Sequence, residues 1–224
     1  MKTEQAGRDL LTRTLTINEI FLSLQGETSR SGLPTVFIRL TGCPLRCRYC
    51  DTAYAFHEGK KTTIGDILNS VAAYRTRHVT VTGGEPLAQK NCLPLLSRLC
   101  DEEYQVSLET GGAIDIAGVD TRVHKVLDLK TPGSGEEHRN LYQNLPLLDA
   151  SDEIKIVICD RQDYEWARGL LLERRLNEYG AVLFSPAHGE LAARDLADWI
   201  LQDRLQVRLQ IQLHKHLWGE ERGR

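Results

Sequence analysis

No apolar run in these 224 residues approaches the length needed to cross a bilayer. The opening stretch, Met1 to Asp9, has none of the apolar character of a secretory leader. Repeats, low-complexity tracts and recognisable linkers are absent, and a single domain is expected. Basic charge is not in excess. The 28 Lys and Arg against 31 Asp and Glu leave a net charge of -3, which gives nucleic acid no broad positive field. The six cysteines do not form a disulfide framework. Three fall between positions 43 and 50, while Cys92, Cys100 and Cys159 lie in apolar segments and read as small core residues. Free thiols of this kind point to a reducing, cytoplasmic setting with no membrane partner.

A hydrophobic content of 41% is ample for a core. Seven segments read as strands: 35–40, 78–82, 104–108, 125–129, 153–158, 181–184 and 207–213. Helices are expected between them. Thr63 opens one that runs to Tyr74, and Asn91 is a possible cap for another from Cys92 to Asp101. A long helix spans Asp163 to Tyr179 and ends at Gly180, and another covers Leu191 to Leu205. A short one is expected within His138 to Leu148. Strands alternating with helices imply parallel pairing and right-handed crossovers. About six strands fall short of a closed eightfold ring, so the expected fold is α/β, a partial (open) β/α barrel. The domain should cover residues 15–218, preceded by a polar, loosely ordered segment 1–14 and followed by a polar tail 219–224 without an assigned role.

Cys43, Cys47 and Cys50 form a C-x3-C-x2-C pattern directly after the 35–40 strand. An electron-carrying [4Fe–4S] centre uses four cysteines. Three on one loop leave an iron open to a substrate or cofactor, which points to chemistry. The alternative is a structural zinc with His57 as the fourth ligand. The remaining strands also end in polar or glycine-rich residues: Gly83-Gly-Glu-Pro86, Glu109-Thr-Gly-Gly112, Lys130-Thr-Pro-Gly-Ser134, Ser185-Pro-Ala-His188 and His214-Lys-His216. In β/α barrels the carboxyl ends of strands carry the ligands and the catalysis. One end of this barrel should therefore hold the site.

The cysteine pattern, with Tyr49 before its last member, and Thr82-Gly-Gly-Glu-Pro86 together resemble the radical S-adenosylmethionine (SAM) superfamily. Gln25-Gly-Glu27, Phe37-Ile-Arg-Leu40, Cys50-Asp-Thr52, Glu109-Thr-Gly-Gly112 and Gln212-Leu-His-Lys215 narrow the resemblance. From about Asn18 to Trp218 the chain resembles the 7-carboxy-7-deazaguanine synthases of the queuosine pathway. One departure bears on a local turn: Thr28 stands where many relatives have glycine.

The resemblance implies a radical SAM barrel and three cofactors: a [4Fe–4S] cluster, SAM and Mg2+. The implied reaction is ring contraction of 6-carboxy-5,6,7,8-tetrahydropterin to 7-carboxy-7-deazaguanine with loss of ammonia. SAM would be used catalytically, a flavodoxin-like protein would supply the electron, and the enzyme would be a homodimer. Cys43, Cys47 and Cys50 would hold the cluster. Tyr49, Gly83, Gly84, Glu85, Glu109, Lys130 and Ser134 would contact SAM, with Glu85 accepting from its ammonium. Gln25, Gly26, Glu27, Arg39, Thr82 and His214 would contact the pterin. Arg39 suits a carboxylate, and Gln25 with Glu27 suits the donor–acceptor edge of the ring. Thr52 would bind Mg2+, with Asp51 as the alternative ligand. The roles of Lys155, Ser185 and His216 stay open at this level. The rival readings are a glycyl-radical-enzyme activase and a zinc-stabilised binding module.

Overall fold

Short runs dense in Val, Ile and Leu, with few exposed positions, are the mark of strands covered on both faces. The computed structural model, which describes residues 2–223, places six such segments and one short, more exposed strand side by side. These are β2 (Pro34–Leu40), β4 (His78–Gly83), β5 (Gln105–Thr110), β6 (His124–Leu129), β7 (Glu153–Ile158), β8 (Ala181–Pro186) and the two-residue β9 (Arg208–Leu209). They pair in parallel in that order. Two strands not expected from the sequence extend the sheet: β1 (Thr14–Leu24) and β3 (Lys60–Thr63). β1 runs antiparallel between β2 and β3, with a register shift between Ile17 and Glu19. The sheet order is β3-β1-β2-β4-β5-β6-β7-β8-β9, an unclosed barrel with a short strand at each edge.

Helices α2 (Ile64–Ala73), α3 (Cys92–Asp101), α4 (Arg161–Glu173) and α5 (Ala193–Asp203) occupy the crossovers. Thr63 caps α2 by accepting the Asp66 N–H, and Asp160 caps α4 by accepting the Asp163 N–H. Asn91 does not cap α3; its amide bonds the Thr14 carbonyl instead. The α4 segment ends at Glu173, six residues before the expected end, because Arg175 turns left-handed. Two 3-10 turns, at 137–139 and 142–147, replace the expected short helix, and Pro146 lies in the second. The expected 207–213 strand keeps two paired residues before helix α6 (Leu213–Trp218) begins. Segment 1–14, read as loosely ordered, carries helix α1 (Lys2–Leu11), and its Leu10 and Leu11 pack on the core. Among the described residues no helix is long and apolar enough to cross a membrane.

One apolar core joins the outer face of the sheet to the helices. Ile38, Leu40, Val79, Val81, Leu108 and Ile154 contribute from the strands, and Ile67, Leu96, Leu99, Tyr164 and Leu196 from the helices. The barrel gap is bridged by the loop between β1 and β2. The Gly26 carbonyl accepts the Leu213 N–H at 2.9 Å, and the Thr28 N–H bonds the Gln210 side chain at 2.5 Å. A Cβ on Gly26 would lie 1.9 Å from the His214 ring, so the seam requires glycine there. Thr28 adopts φ +67°, the left-handed conformation that glycine takes easily and a β-branched residue does not.

Candidate active site

The carboxyl ends of the parallel strands surround a cavity of about 370 Å³. The cysteine loop forms one wall. Its entry is fixed by Gly42 N–H to the Ala55 carbonyl (2.8 Å) and its middle by Cys50 N–H to the Cys47 carbonyl (3.1 Å). The 131–136 turn holds its outer side: Arg48 N–H bonds the Ser134 carbonyl, and Arg46 N–H bonds Glu136 at 2.6 Å. Buried Asp163 anchors that turn by accepting from Thr131, Gly133 and Cys159. All three loop cysteines are free, partly buried and line the cavity. Burial raises the pKa of Cys43 and Cys47, the latter to about 11, while Lys130 pulls both the other way.

The glycine-rich end of β4 lies against this loop. A Cβ on Gly83 would stand 2.2 Å from the Leu40 carbonyl oxygen, and one on Gly84 2.2 Å from that of Gly42. Only glycine permits this contact, which carries two backbone bonds, Gly84 N–H to Leu40 and Glu85 N–H to Gly42. Glu85 is fully buried. Its carboxylate accepts the Thr110 hydroxyl and the N–H groups of Gly111 and Leu87. Most of its accepting capacity is thus committed to tying the β4 and β5 ends together. Burial pushes its pKa up against those bonds.

Across the cavity floor runs a chain of buried charges. Lys130 Nζ is 3.0 Å from Asp128 Oδ1, Asp128 Oδ2 is 3.4 Å from Lys155 Nζ, and Lys155 Nζ is 2.7 Å from Glu27 Oε2. Glu27 also accepts the amides of Gln210 (3.3 Å) and Gln212 (2.8 Å). Burial alone would raise the Glu27 pKa; Lys155 and the Gln212 amide outweigh it and bring it down to about 2. Burial likewise works against the charged form of Lys155, but Glu27, Asp128 and Glu109 hold its pKa well above the usual range. Glu109 receives Gln25 at 3.4 Å and Thr82 at 3.3 Å, and burial raises its pKa.

On the opposite side Arg39 bonds Glu19 through Nε at 2.7 Å, and its guanidinium lies near the rings of Phe21 and Tyr54. Its terminal nitrogens make no hydrogen bond among the described residues. His214 sits over Gly26, and burial lowers its pKa. Asp51 is held by Lys215 at 3.3 Å and Gln212 at 3.4 Å, whereas the Thr52 hydroxyl has only a 3.8 Å contact with Cys50 Sγ.

The cavity therefore brings together Cys43, Cys47, Tyr49, Cys50, Thr52, Gly83, Gly84, Glu85, Glu109 and Lys130 with Gln25, Glu27, Arg39, Thr82 and His214. Two expected members stand apart. Ser134 is buried outside the lining, its hydroxyl donating to the Thr131 carbonyl and accepting the Glu136 N–H. Gly26 also lies outside the lining and acts through the seam. His57 is exposed and edge-on to Phe56. It does not line the cavity that the three thiols share, so the zinc reading lacks its fourth ligand. Sequence reasoning missed Asp128, Glu19 and the pairing of Lys155. The available signal was a charged residue inside an apolar strand, as in Val126-Leu-Asp-Leu129 and Ile154-Lys-Ile156.

Three free thiols on one loop, a buried lysine opposing their charge and a glycine-only contact behind them fit an iron–sulfur cluster with an open iron. With the open parallel barrel, they define a radical SAM enzyme, and residues 37–133 match the Radical SAM superfamily. The chain is 45% identical over 210 residues to 7-carboxy-7-deazaguanine synthase of Chlorobaculum tepidum, covering 92% of this chain and 96% of that protein. The corresponding enzyme of Koribacter versatilis is 42% identical over 220 residues, with 92% and 97% covered. The crystal structure of QueE from Escherichia coli superposes with a TM-score of 0.74 at 25% identity, covering 90% of this chain and 95% of that one. The chain belongs to the 7-carboxy-7-deazaguanine synthase family.

Proposed function

We propose that this chain converts 6-carboxy-5,6,7,8-tetrahydropterin to 7-carboxy-7-deazaguanine and ammonia. The observation that carries this reading is the sharing of one cavity by the three cluster thiols and the polar set Gln25, Glu27, Arg39, Thr82 and His214. A glycyl-radical-enzyme activase would have to admit a protein backbone, whereas this cavity of about 370 Å³ has the size of a small-molecule site.

Cys43, Cys47 and Cys50 hold the cluster in this reading. With SAM and a reduced cluster bound there, the cofactor pair would supply radical hydrogen-atom abstraction. Lys130 would pair with the SAM carboxylate, and Gly83 and Gly84 let the end of β4 close against Leu40 and Gly42, which fixes the wall beside the cysteine loop. The Glu85 carboxylate acts chiefly by tying the β4 and β5 ends together, since it is engaged by Thr110, Gly111 and Leu87. Glu27, ionised and immobilised, accepts N–H donors of the pterin ring, and Gln25 reads the same edge. The terminal nitrogens of Arg39 take the substrate carboxylate. Thr52 is the Mg2+ ligand favoured here, because Lys215 and Gln212 already occupy Asp51. A Mg2+ held by few protein oxygens keeps the positions that a substrate carboxylate needs. Half-buried thiols suit a reducing cytoplasm, and family membership supports a flavodoxin-like electron donor and a homodimer.

The test is an anaerobic assay of the iron- and sulfide-reconstituted protein with SAM, Mg2+, a strong reductant and the pterin, read by mass spectrometry. The expected product is 7-carboxy-7-deazaguanine. Cleavage of SAM to 5′-deoxyadenosine without that product overturns the substrate and keeps the class.

A further inference from the structure

We propose that Asp128 is a positioning residue that couples the cofactor half of the cavity to the substrate half, so that each ligand tightens the other. The inference rests on the functional reading above, with SAM on the Lys130 side and the pterin on the Glu27 side.

Its basis is how the two carboxylate oxygens are divided. Oδ1 faces Lys130 at 3.0 Å and Oδ2 faces Lys155 at 3.4 Å. Lys130 belongs to the cluster side, with its Nζ 6.0 Å from the centre of the Tyr49 ring. Lys155 belongs to the other side, 2.7 Å from Glu27. The side chains of both lysines and of Asp128 are 10–14% exposed, so water screens the chain weakly. No other carboxylate among the described residues is ion-paired to both lysines.

A ligand carboxylate arriving at Lys130 competes with Asp128 for that ammonium. Asp128 then bears more strongly on Lys155 and draws it away from Glu27. A less occupied Glu27 is a better acceptor for pterin N–H groups. Run in reverse, a pterin on Glu27 releases Lys155 toward Asp128 and leaves Lys130 freer for the anion. The two directions carry the same sign, as linkage requires. If Asp128 only supported the fold, its replacement would weaken both ligands and leave their ratio unchanged.

The measurement is anaerobic calorimetric titration of SAM into the cluster-loaded enzyme, without reductant, in the presence and absence of saturating 6-carboxytetrahydropterin. In the wild type the pterin should tighten SAM by about tenfold, toward the lower end of the usual range for coupled sites. In Asp128→Asn, which preserves shape and removes charge, the ratio should fall below about twofold. Lys155→Gln cuts the chain at its next link and should do the same, which covers the case in which Asp128→Asn loads its cluster poorly. Equal coupling in the wild type and both variants, or no coupling in the wild type, overturns the inference and leaves the functional reading standing. A wild type that binds SAM but no pterin overturns both.

Discussion

At the amino ends of β6 and β7, Lys125 lies 2.7 Å from Asp152 and His124 lies 3.2 Å from Glu153. Three residues further along β6 and two along β7, Asp128 and Lys155 face each other at 3.4 Å. The two pairs of levels use the same residue types to different ends. Below, Asp152 also accepts the N–H groups of Lys125 and Asp149, and Glu153 accepts that of Ser29. Those charges are answered by the protein itself and line no part of the cavity. Above, Asp128, Lys130, Lys155, Glu27 and Glu109 all line it. Buried charge closed on itself holds the barrel together, and buried charge opened onto a cavity is available to ligands.

The contrast breaks most sharply at the upper rim. Cys47→Ala should yield no detectable 7-carboxy-7-deazaguanine and, with iron and sulfide analysis, a poorly loaded cluster. The urea midpoint of the apoprotein should barely move, because Cys47 is only partly buried. At the lower end the pattern should reverse. Asp152→Ala leaves the Lys125 ammonium buried without its partner, and unfolding in urea should show a loss of about 3–5 kcal/mol. Turnover per folded, cluster-loaded molecule should stay near wild type.

Acid titration sharpens the same comparison. The Glu27 carboxyl has its pKa lowered from 4.5 to about 2 in the folded chain. A carboxyl lowered on folding contributes stability that is complete above its unfolded pKa and lost as pH falls through the folded value. Glu27→Gln should therefore flatten the loss of stability between about pH 4.5 and about pH 2, followed by circular dichroism in denaturant. An unchanged acid limb would mean that Glu27 is not held by Lys155 in solution. The smallest effect is expected in the loop that spans both levels. Thr28→Gly removes left-handed strain at φ +67°. It should raise stability by about 0.5–1 kcal/mol after the entropy of the added glycine is subtracted.

The fold was legible where burial is two-sided. Six of the parallel strands announce themselves as short runs of buried residues, whereas β9 keeps two residues of its expected run, and the polar or glycine-rich turns after the strands mark the working end. β1 and β3 were not legible. β1 is only partly buried along its length, and β3, Lys60-Lys-Thr-Thr63, is polar and stands only because β1 pairs with it. The early stop of α4 had no sequence signal, because Arg175 is an ordinary helix former forced left-handed by its context. The site was legible as a set of motifs. What the motifs did not contain was the wiring: that Ser134 spends its hydroxyl on its own turn, that Glu85 is tied to β5, and that Asp128 joins two lysines from neighbouring strands. Such pairings are made between residues distant in sequence, and local spacing carries no record of them.

The seam between Gly26 and Leu213 has a consequence for how the molecule comes into being. The two residues meet across nearly the whole chain, and Gln210 and Gln212 reach Glu27 from the same late segment. During synthesis the cysteine loop emerges long before residues 210–213, which supply its facing wall. Until then the barrel stands open along one side, and the cysteine loop can be reached from that side. Arrival of the 210–213 segment is thus also the event that shuts the chamber.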